Sequence, residues 1–407
     1  MSETLLVVLS GVDRPGVTAR VLAALPATGV GVLDVEQVVI RERLVLGLLL
    51  GVDGARVAAE VEAAARAAAA ELGLEVDVRA GGDDREPHRR GRTLVTVLGA
   101  PLRPAGMAGV AERVAALGGN IDRVHRLSAR PVTAVELEVS GADPHVLRDD
   151  LAREASALGV GIAVQRAGLH RRGKQLVVMD VDSTLVQGEV IELLAERAGC
   201  ADRVAAVTEA AMRGELDFAA SLHERVALLA GLDAAALDEV RAAVRLTPGA
   251  RTLVRTLQRL DHRIAVVSGG FTQVVEPLAA GLGIDYVAAN ALEVVDGRLT
   301  GRVTGEVVDR AGKAAALERF AAAAGVPLAQ TVAIGDGAND LDMLARAGLG
   351  IAFNAKPVVR AAAHAAVPVP YLDAVLSLLG IPRSEVEAAD AADARGDAPG
   401  PGAALTG

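Results

Sequence analysis

Short apolar runs and Ala-rich helical stretches alternate along this chain in three blocks, and the first two blocks share one order. Block one reads strand 5–10, helix 17–25, strand 32–40, strand 44–52, helix 55–72 and strand 74–79, from Val/Leu/Ile runs and Ala-rich helical spacing. Block two repeats the order over 94–98, 107–117, 120–127, 133–139, 144–158 and 160–165. Both give β-α-β-β-α-β, the ferredoxin-like arrangement. A local echo supports duplication. Arg14-Pro15-Gly16 follows the first strand of one copy and Arg103-Pro104-Ala105-Gly106 that of the other. The third block, 174–383, places apolar strands at 176–179, 264–267, 331–334 and 349–353 between helical segments. That pattern predicts a doubly wound α/β domain. A helical insertion over 189–244 separates its first two strands and predicts a cap over the sheet edge.

Punctuation between the blocks sets the expected boundaries: 1–82, 91–167 and 174–383, with the cap at about 188–245. The linker Gly81-Gly82-Asp83-Asp84-Arg85-Glu86-Pro87 divides the first two blocks, and His170-Arg171-Arg172-Gly173-Lys174 precedes the third. The Ala/Asp/Gly/Pro-rich stretch 388–407 reads as a disordered tail.

Composition narrows the class. Of 407 residues, 51% are apolar, yet there is no Trp, two Tyr and four Phe, so Ala, Val and Leu must fill the interior. Few aromatics and a net charge of −10 argue against nucleic-acid partners. The densest basic run, His88-Arg89-Arg90-Gly91-Arg92, reads as a solvated linker. No apolar stretch has the length of a membrane helix. Met1-Ser2-Glu3-Thr4 lacks the features of a signal peptide. With Cys200 the one cysteine, cytoplasmic residence is the expectation.

Chemistry gathers where strands of the third block end, the place where open α/β sheets bind ligands. Asp180-Val181-Asp182-Ser183-Thr184 closes the run Gln175-Leu176-Val177-Val178-Met179. Alternation along a strand lets Asp180 and Asp182 face one crevice. Ser268-Gly269-Gly270 follows the second strand, Lys313 lies in Asp309-Arg310-Ala311-Gly312-Lys313, and Gly335-Asp336-Gly337-Ala338-Asn339-Asp340 follows the third strand. Carboxylates, a hydroxyl, an ammonium and glycine amides together suit phosphoryl transfer, where phosphate oxygens need a cation and backbone donors. Mg²⁺, a hard cation that takes oxygen ligands, fits Asp180 and Asp336. An Asp after a strand is otherwise often only a helix N-cap, and Met212 and Phe218 read by default as core.

With these four motifs the third block resembles the haloacid-dehalogenase superfamily, and within it the phosphoserine phosphatase family. The match extends into the insertion through Glu189-Val190-Ile191, Glu209 to Gly214, Asp217-Phe218 and Ser221 to Val226. The first two blocks, at about 3–80 and 92–166, resemble ACT domains, small modules that bind amino acids. The combination resembles the actinobacterial form of the enzyme. The implied fold class is α/β: a Rossmann-like haloacid-dehalogenase core with a helical cap, preceded by two ferredoxin-like ACT-type domains.

The resemblance also implies roles. Asp180 is the expected nucleophile and Asp182 the general acid and base. Asp180, Asp336 and the backbone carbonyl of Asp182 are the Mg²⁺ ligands, supported by Asn339 and Asp340. Ser268, Gly269 and Gly270 hold phosphate, and Lys313 neutralises it. Glu189 takes the ammonium and Arg225 the carboxylate of O-phospho-L-serine, with Met212 and Phe218 as an apolar lid. Asp13, Gly16 and Gly106 are candidates for binding an amino-acid effector such as L-serine, and a homodimer is expected. Two other readings stay open. One is a phosphatase for phosphohomoserine or phosphothreonine. The other is an amino-acid-binding regulator whose phosphatase block is vestigial.

Overall fold

The computed structural model describes residues 3–81, 92–168, 171, 173–212 and 217–395. Outside the described residues lie the linker 82–91, His170 and Arg172 of the basic hinge, Arg213 and Gly214 of the insertion, and 396–407. The chain forms two compact units, one within residues 1–90 and one within 91–407.

The first unit carries β1 (Glu3–Val12), α1 (Val17–Ala24), β2 (Val30–Ile40), β3 (Arg43–Val52), α2 (Ala55–Leu72) and β4 (Glu75–Gly81). Its antiparallel sheet runs β2-β3-β1-β4. Leu44, Leu46, Leu48 and Leu50 alternate along β3 and are fully buried among Val7, Leu9, Val21, Val61 and Ala65. This is the period of two that places one strand face in a core.

The second unit opens with β5 (Thr93–Gly99), α3 (Pro104–Ala116), β6 (Asn120–Ser128), β7 (Thr133–Ser140), α4 (Pro144–Leu158) and β8 (Gly161–Arg166). The strand and helix order read from the sequence holds in both copies. β9 (Leu176–Asp180) then begins the catalytic block. After it come a turn at Val181–Leu185, α5 (Val190–Arg197), α6 (Ala201–Met212), α7 (Phe218–Ala227), α8 (Ala236–Ala243) and α9 (Ala250–Arg259). The rest is β10 (Arg263–Phe271), α10 (Thr272–Leu282), β11 (Tyr286–Val295), β12 (Arg298–Thr304), α11 (Arg310–Ala323), β13 (Thr331–Gly335), α12 (Leu341–Arg346), β14 (Leu349–Phe353), α13 (Pro357–Ala362), β15 (Ala365–Val367), α14 (Val375–Leu378) and α15 (Arg383–Arg395). β9 is central, parallel to β10 on one side and β13 on the other. Both its faces are covered, Leu176 and Val178 in one core and Val177 and Met179 in another, so its run is continuously apolar.

Four features depart from the sequence reading. The hairpin β11–β12 and the short β15 were not legible as strands. Gly106, which the sequence pairs with Gly16 ahead of a helix, lies inside α3, where an added Cβ would sit 2.8 Å from Val160 Cγ1. Residues 388–395 are helical rather than disordered, because Asp390 pairs with Arg255 and Arg259, and Asp393 with Arg259, fastening α15 to α9. Finally, the second ferredoxin-like block does not stand apart. One sheet runs β12-β11-β10-β9-β13-β14-β15-β8-β5-β7-β6, joined where β15 pairs antiparallel with β8 at Ala365 and Ala163. The face of β5, β7 and β8 away from α3 and α4 contributes Leu98, Ala134 and Ala163 to one core with Leu372, Val375, Leu376 and Leu378. Gln165 Nε2 donates to the Leu378 carbonyl at 2.8 Å, and buried Glu136 pairs with Arg171.

At the joint, Gly161 has no room for a side chain: a Cβ would lie 2.6 Å from the Ala366 carbonyl oxygen and 2.5 Å from Pro368 Cδ. Gly161→Ala is therefore expected to cost about 1–3 kcal/mol by overpacking, read as a lower urea midpoint. An unchanged midpoint would show that the two sheets are not held this closely.

Candidate active site

Strand register brings three of the motifs together. Val267 of β10 pairs with Asp180, and Ile334 of β13 with Met179, so Ser268 and Asp336 emerge beside the end of β9. The chain leaves β9 through a turn in which Ser183 adopts φ 56°, closed by Ser183 N–H donating to the Gly188 carbonyl at 3.0 Å. The fourth group arrives from a helix: Lys313 lies in the first turns of α11, whose N-terminus is capped by Asp309 Oδ1 accepting from Gly312 N–H at 2.7 Å.

Lys313 is fully buried, and its Nζ lies 2.8 Å from Asp180 Oδ2 and 2.7 Å from Asp340 Oδ1. Burial works against its charge, but the two carboxylates outweigh burial and hold its pKa above the ordinary value. Asp180 is also buried, with Oδ1 accepting from Val181 N–H at 2.8 Å. Burial, then repulsion from Asp340, pushes its pKa well up despite Lys313. Asp336 is raised to about 6 by burial first and Asp340 second, while Thr184 Oγ1 donates to its Oδ1 at 3.0 Å. Asp180, Asp336 and Asp340 bring carboxylate oxygens within 4.8 Å of one another. Too much negative charge for one ammonium is what a divalent cation would relieve.

Asp182 turns its side chain away from that cluster. Its Oδ1 accepts from Val190 N–H at 2.8 Å and its Oδ2 from Ser268 Oγ–H at 2.9 Å. The Ser268 oxygen in turn accepts from Gly270 N–H at 2.7 Å. Ser268 is fully buried behind this bond, and Gly269 and Gly270 present the open surface. A cavity of about 460 Å³ extends from Asp180, Asp182 and Lys313 to Glu189 and Arg225. Asn339 and Phe218 line it too, and Phe218 packs on Gly269, where a Cβ would lie 3.0 Å from its ring. Glu189 Oε2 and Arg225 Nη1 are 3.7 Å apart, too far for a hydrogen bond. Burial, then Asp182, raises the Glu189 pKa, and burial lowers that of Arg225. Met212 ends α6, and its side chain lies outside the described residues.

Asp13, Gly16 and Gly106 do not belong to this site. Gly16 has φ 89° at the start of α1 with open space around it, and Asp13 N–H donates to the Glu42 carbonyl at 2.8 Å. Two supporting residues had no assigned role in the sequence. Asn290 is buried in β11, its Nδ2 donating to the Gly269 carbonyl and its Oδ1 accepting from Val308 N–H, both at 2.8 Å. It ties the glycine loop to the segment that enters α11. An amide inside the apolar run Tyr286-Val287-Ala288-Ala289-Asn290-Ala291-Leu292 was the available signal. Thr184 is the other, visible in the first motif but distinguished only by its contact with Asp336.

Comparisons with known proteins place the chain in a family. The haloacid dehalogenase-like hydrolase family matches residues 177–345, and ACT domain families match 3–79 and 92–165. The chain is 63% identical to a phosphoserine phosphatase of Streptomyces coelicolor, covering 98% of this chain and 97% of that one. It is 52% identical to a phosphoserine phosphatase of Mycobacterium tuberculosis, covering 96% of each. The solved structure of a probable phosphoserine phosphatase from Vibrio cholerae is 34% identical, with a TM-score of 0.56 over 72% of this chain and 87% of that one.

Lys313→Met should leave two buried carboxylates unpaired and cost about 3–5 kcal/mol in the absence of divalent cations. Without the ammonium, Asp180 and the neighbouring Asp336, both already raised, bind protons more tightly in the folded than in the unfolded chain. Stability of the variant then falls as pH rises through that window, so the deficit should be larger at about pH 8 than at about pH 5. Equal deficits in urea unfolding at both values would refute the charge argument.

Proposed function

The chain belongs to the haloacid dehalogenase-like hydrolases, as a phosphoserine phosphatase with two ACT domains, and from that premise we propose how it works. It hydrolyses O-phospho-L-serine to L-serine and phosphate with Mg²⁺, through an aspartyl-phosphate, as the last step of serine biosynthesis. The observation that carries this reading is the Glu189–Arg225 pair, 3.7 Å apart in the same cavity as Asp180, Asp182 and Lys313. A cavity that offers a carboxylate and a guanidinium at one end and a phosphoryl-transfer set at the other fits a phosphorylated amino acid.

A carboxylate of Asp180 forms the bond to phosphorus as the bond from phosphorus to the serine oxygen breaks. This divides one displacement into two steps. Asp182 gives its proton to the departing oxygen and then takes one from the water that cleaves the aspartyl-phosphate. The amide of Gly269 faces the phosphate position, while Ser268 Oγ–H and the Gly270 amide reach phosphate oxygens only by exchanging their present bonds, to Asp182 Oδ2 and to Ser268 Oγ. Lys313, already held between Asp180 and Asp340, needs no movement to oppose the charge that develops. The donor set fits Mg²⁺: Asp180, Asp336 and the Asp182 carbonyl would hold it. Asp340 already gives one oxygen to Lys313 and the other to Gly337 N–H. When bound, the ion supplies positive charge to the phosphate. At the far end, Glu189 takes the substrate ammonium and Arg225 its carboxylate. Phosphates lacking those groups leave the pair incompletely satisfied.

The ACT domains are proposed to sense an amino acid, with L-serine the first candidate, and the chain to act as a homodimer. Exposed Val32, Leu33, Val38 and Ile40 along β2 support an association surface on the first unit.

Phosphate release from O-phospho-L-serine is expected with Mg²⁺, to be lost without it, and to fall as L-serine is added. Asp180→Asn should remove turnover while the protein stays folded; retained turnover would exclude Asp180 as nucleophile. Arg225→Ala should raise KM for O-phospho-L-serine at least about tenfold, the loss of a charge-assisted contact, and barely change KM for an aryl phosphate. Equal effects on both substrates would remove Arg225 from selectivity. A substrate panel with phosphohomoserine and phosphothreonine ranks the remaining candidates.

A further inference from the structure

Two guanidinium groups and an imidazole meet where the second ACT domain joins the catalytic domain. Arg148 comes from α4, and Arg360 and His364 from α13 and the residues after it. With Ile162 and Val164 of β8 they line a cavity of about 20 Å³, and none of its lining residues is acidic. Arg360 Nε is buried without a hydrogen-bond partner. A buried donor left unpaired is rare in folded proteins and commonly marks the place of a water or an ion.

His364 sharpens the picture. Its Nδ1 accepts from Gly350 N–H at 2.9 Å, which leaves the neutral ring its proton on Nε2 as a donor. The charged groups acting on it are Arg148 and Lys174, both cations, and with burial they hold its pKa below the ordinary value. Lys174 is itself buried, with Nζ donating to the Ala329 carbonyl at 2.6 Å. One carboxylate reaches the cluster from outside: exposed Asp149 accepts from Arg148 Nε at 3.3 Å. Positive charge is thus gathered on both sides of the joint, half-buried Arg148 on one and half-buried Arg360 with buried Lys174 on the other, and like charges brought together raise each other's energy.

We propose that this crevice binds a small tetrahedral oxyanion of the inorganic phosphate class. One oxygen enters the cavity to accept the Arg360 Nε–H, and the others stay at the mouth before Arg148 and His364. A cavity of about 20 Å³ admits little more than one water-sized group, so an organic phosphate or an amino acid is not enclosed. The anion bridges α4 of the ACT domain and α13 of the catalytic domain, and its occupancy tightens the joint that Ala163 and Ala365 make in the sheet. The site is separate from the catalytic cavity, and the proposal does not depend on the substrate assigned there.

The test follows the thermal midpoint of the full chain against potassium phosphate, potassium sulfate and, at matched ionic strength, potassium chloride, without divalent cations. Phosphate and sulfate should raise the midpoint by several degrees and chloride should not, as ligands bound to the native state do. Arg360→Gln and, separately, Arg148→Gln should each lose at least about half of that rise. Inhibition of turnover by phosphate should stay within roughly twofold in both, which assigns the lost stabilisation to the joint rather than the catalytic pocket. The proposal is overturned if either variant's midpoint follows phosphate as the native chain's does, or if chloride matches phosphate. Should Arg360→Gln fail to fold, Arg148→Gln, at a position 33% exposed, decides the matter.

Discussion

The catalytic block is organised around one buried ammonium. Lys313 sits between Asp180 and Asp340 with all three side chains out of water. Taking such charges from solvent is costly, and the cost is recovered only if every partner is in place. That requirement constrains elements far apart in sequence. β9 must end at Asp180, α11 must start so that Lys313 reaches inward, and the turn after β13 must present Asp340. The turn has no slack, since a Cβ at Gly335 would lie 2.4 Å from Asp340 Cγ. The same arrangement leaves Asp336 and Asp182 without a cation of their own. Excess negative charge at the strand ends is thus a product of the scaffold, and it is what a divalent cation would relieve before a phosphate could approach.

The cap is tied to this centre through the proposed acid. Asp182 Oδ1 accepts from the first helical amide of α5, Val190 N–H. A helix N-terminus favours a carboxylate, so α5 orients Asp182 as well as closing the pocket. Two connections return the cap to the core side by side: Val186 bridges Leu246, and Thr247 N–H donates to the Leu185 carbonyl at 3.0 Å. Any displacement of the cap along this pair reaches Asp182 and Glu189 together, because they lie on one turn and its helix. The two roles proposed for these residues, at the amino-acid end and at the phosphate end, are thereby carried by one stretch of chain.

Most of the site was legible because its chemistry sits where short, fully apolar strands stop. β9, β13 and the start of β10 advertise their ends as abrupt changes from Val and Ile to Asp or Ser. Lys313 was legible as a residue, but a lysine in the first turns of a helix reads equally as a solvated one, and its burial between Asp180 and Asp340 appears only in the fold. The β11–β12 hairpin escaped because Ala288, Ala289, Asn290 and Ala291 have little strand preference and β12 mixes Arg, Thr and Gly with its few apolar residues. Asn290 escaped with it, since its function is a pair of hydrogen bonds to main chain distant in sequence. Residues 388–395 were misjudged on composition: Ala and Asp without a hydrophobic stripe suggest a solvated chain, but two arginines of α9 supply the partners that hold them as a helix.

The duplicated N-terminal blocks show how far repetition in sequence can part from equivalence in structure. Both fold in the same order, yet the second has its helix-free sheet face built into the catalytic core through Leu98, Ala134, Ala163 and the segment Leu372 to Leu378. Its glycine at the echo position, Gly106, serves close packing of α3 against Val160. Gly16 in the first copy keeps a left-handed turn with open space before α1. A ligand that approaches the backbone needs such space, and only the first copy offers it at this position. The second copy is instead part of the catalytic scaffold, because its β8 is hydrogen-bonded to β15 and its sheet is continuous with the strands that carry Asp180 and Asp336.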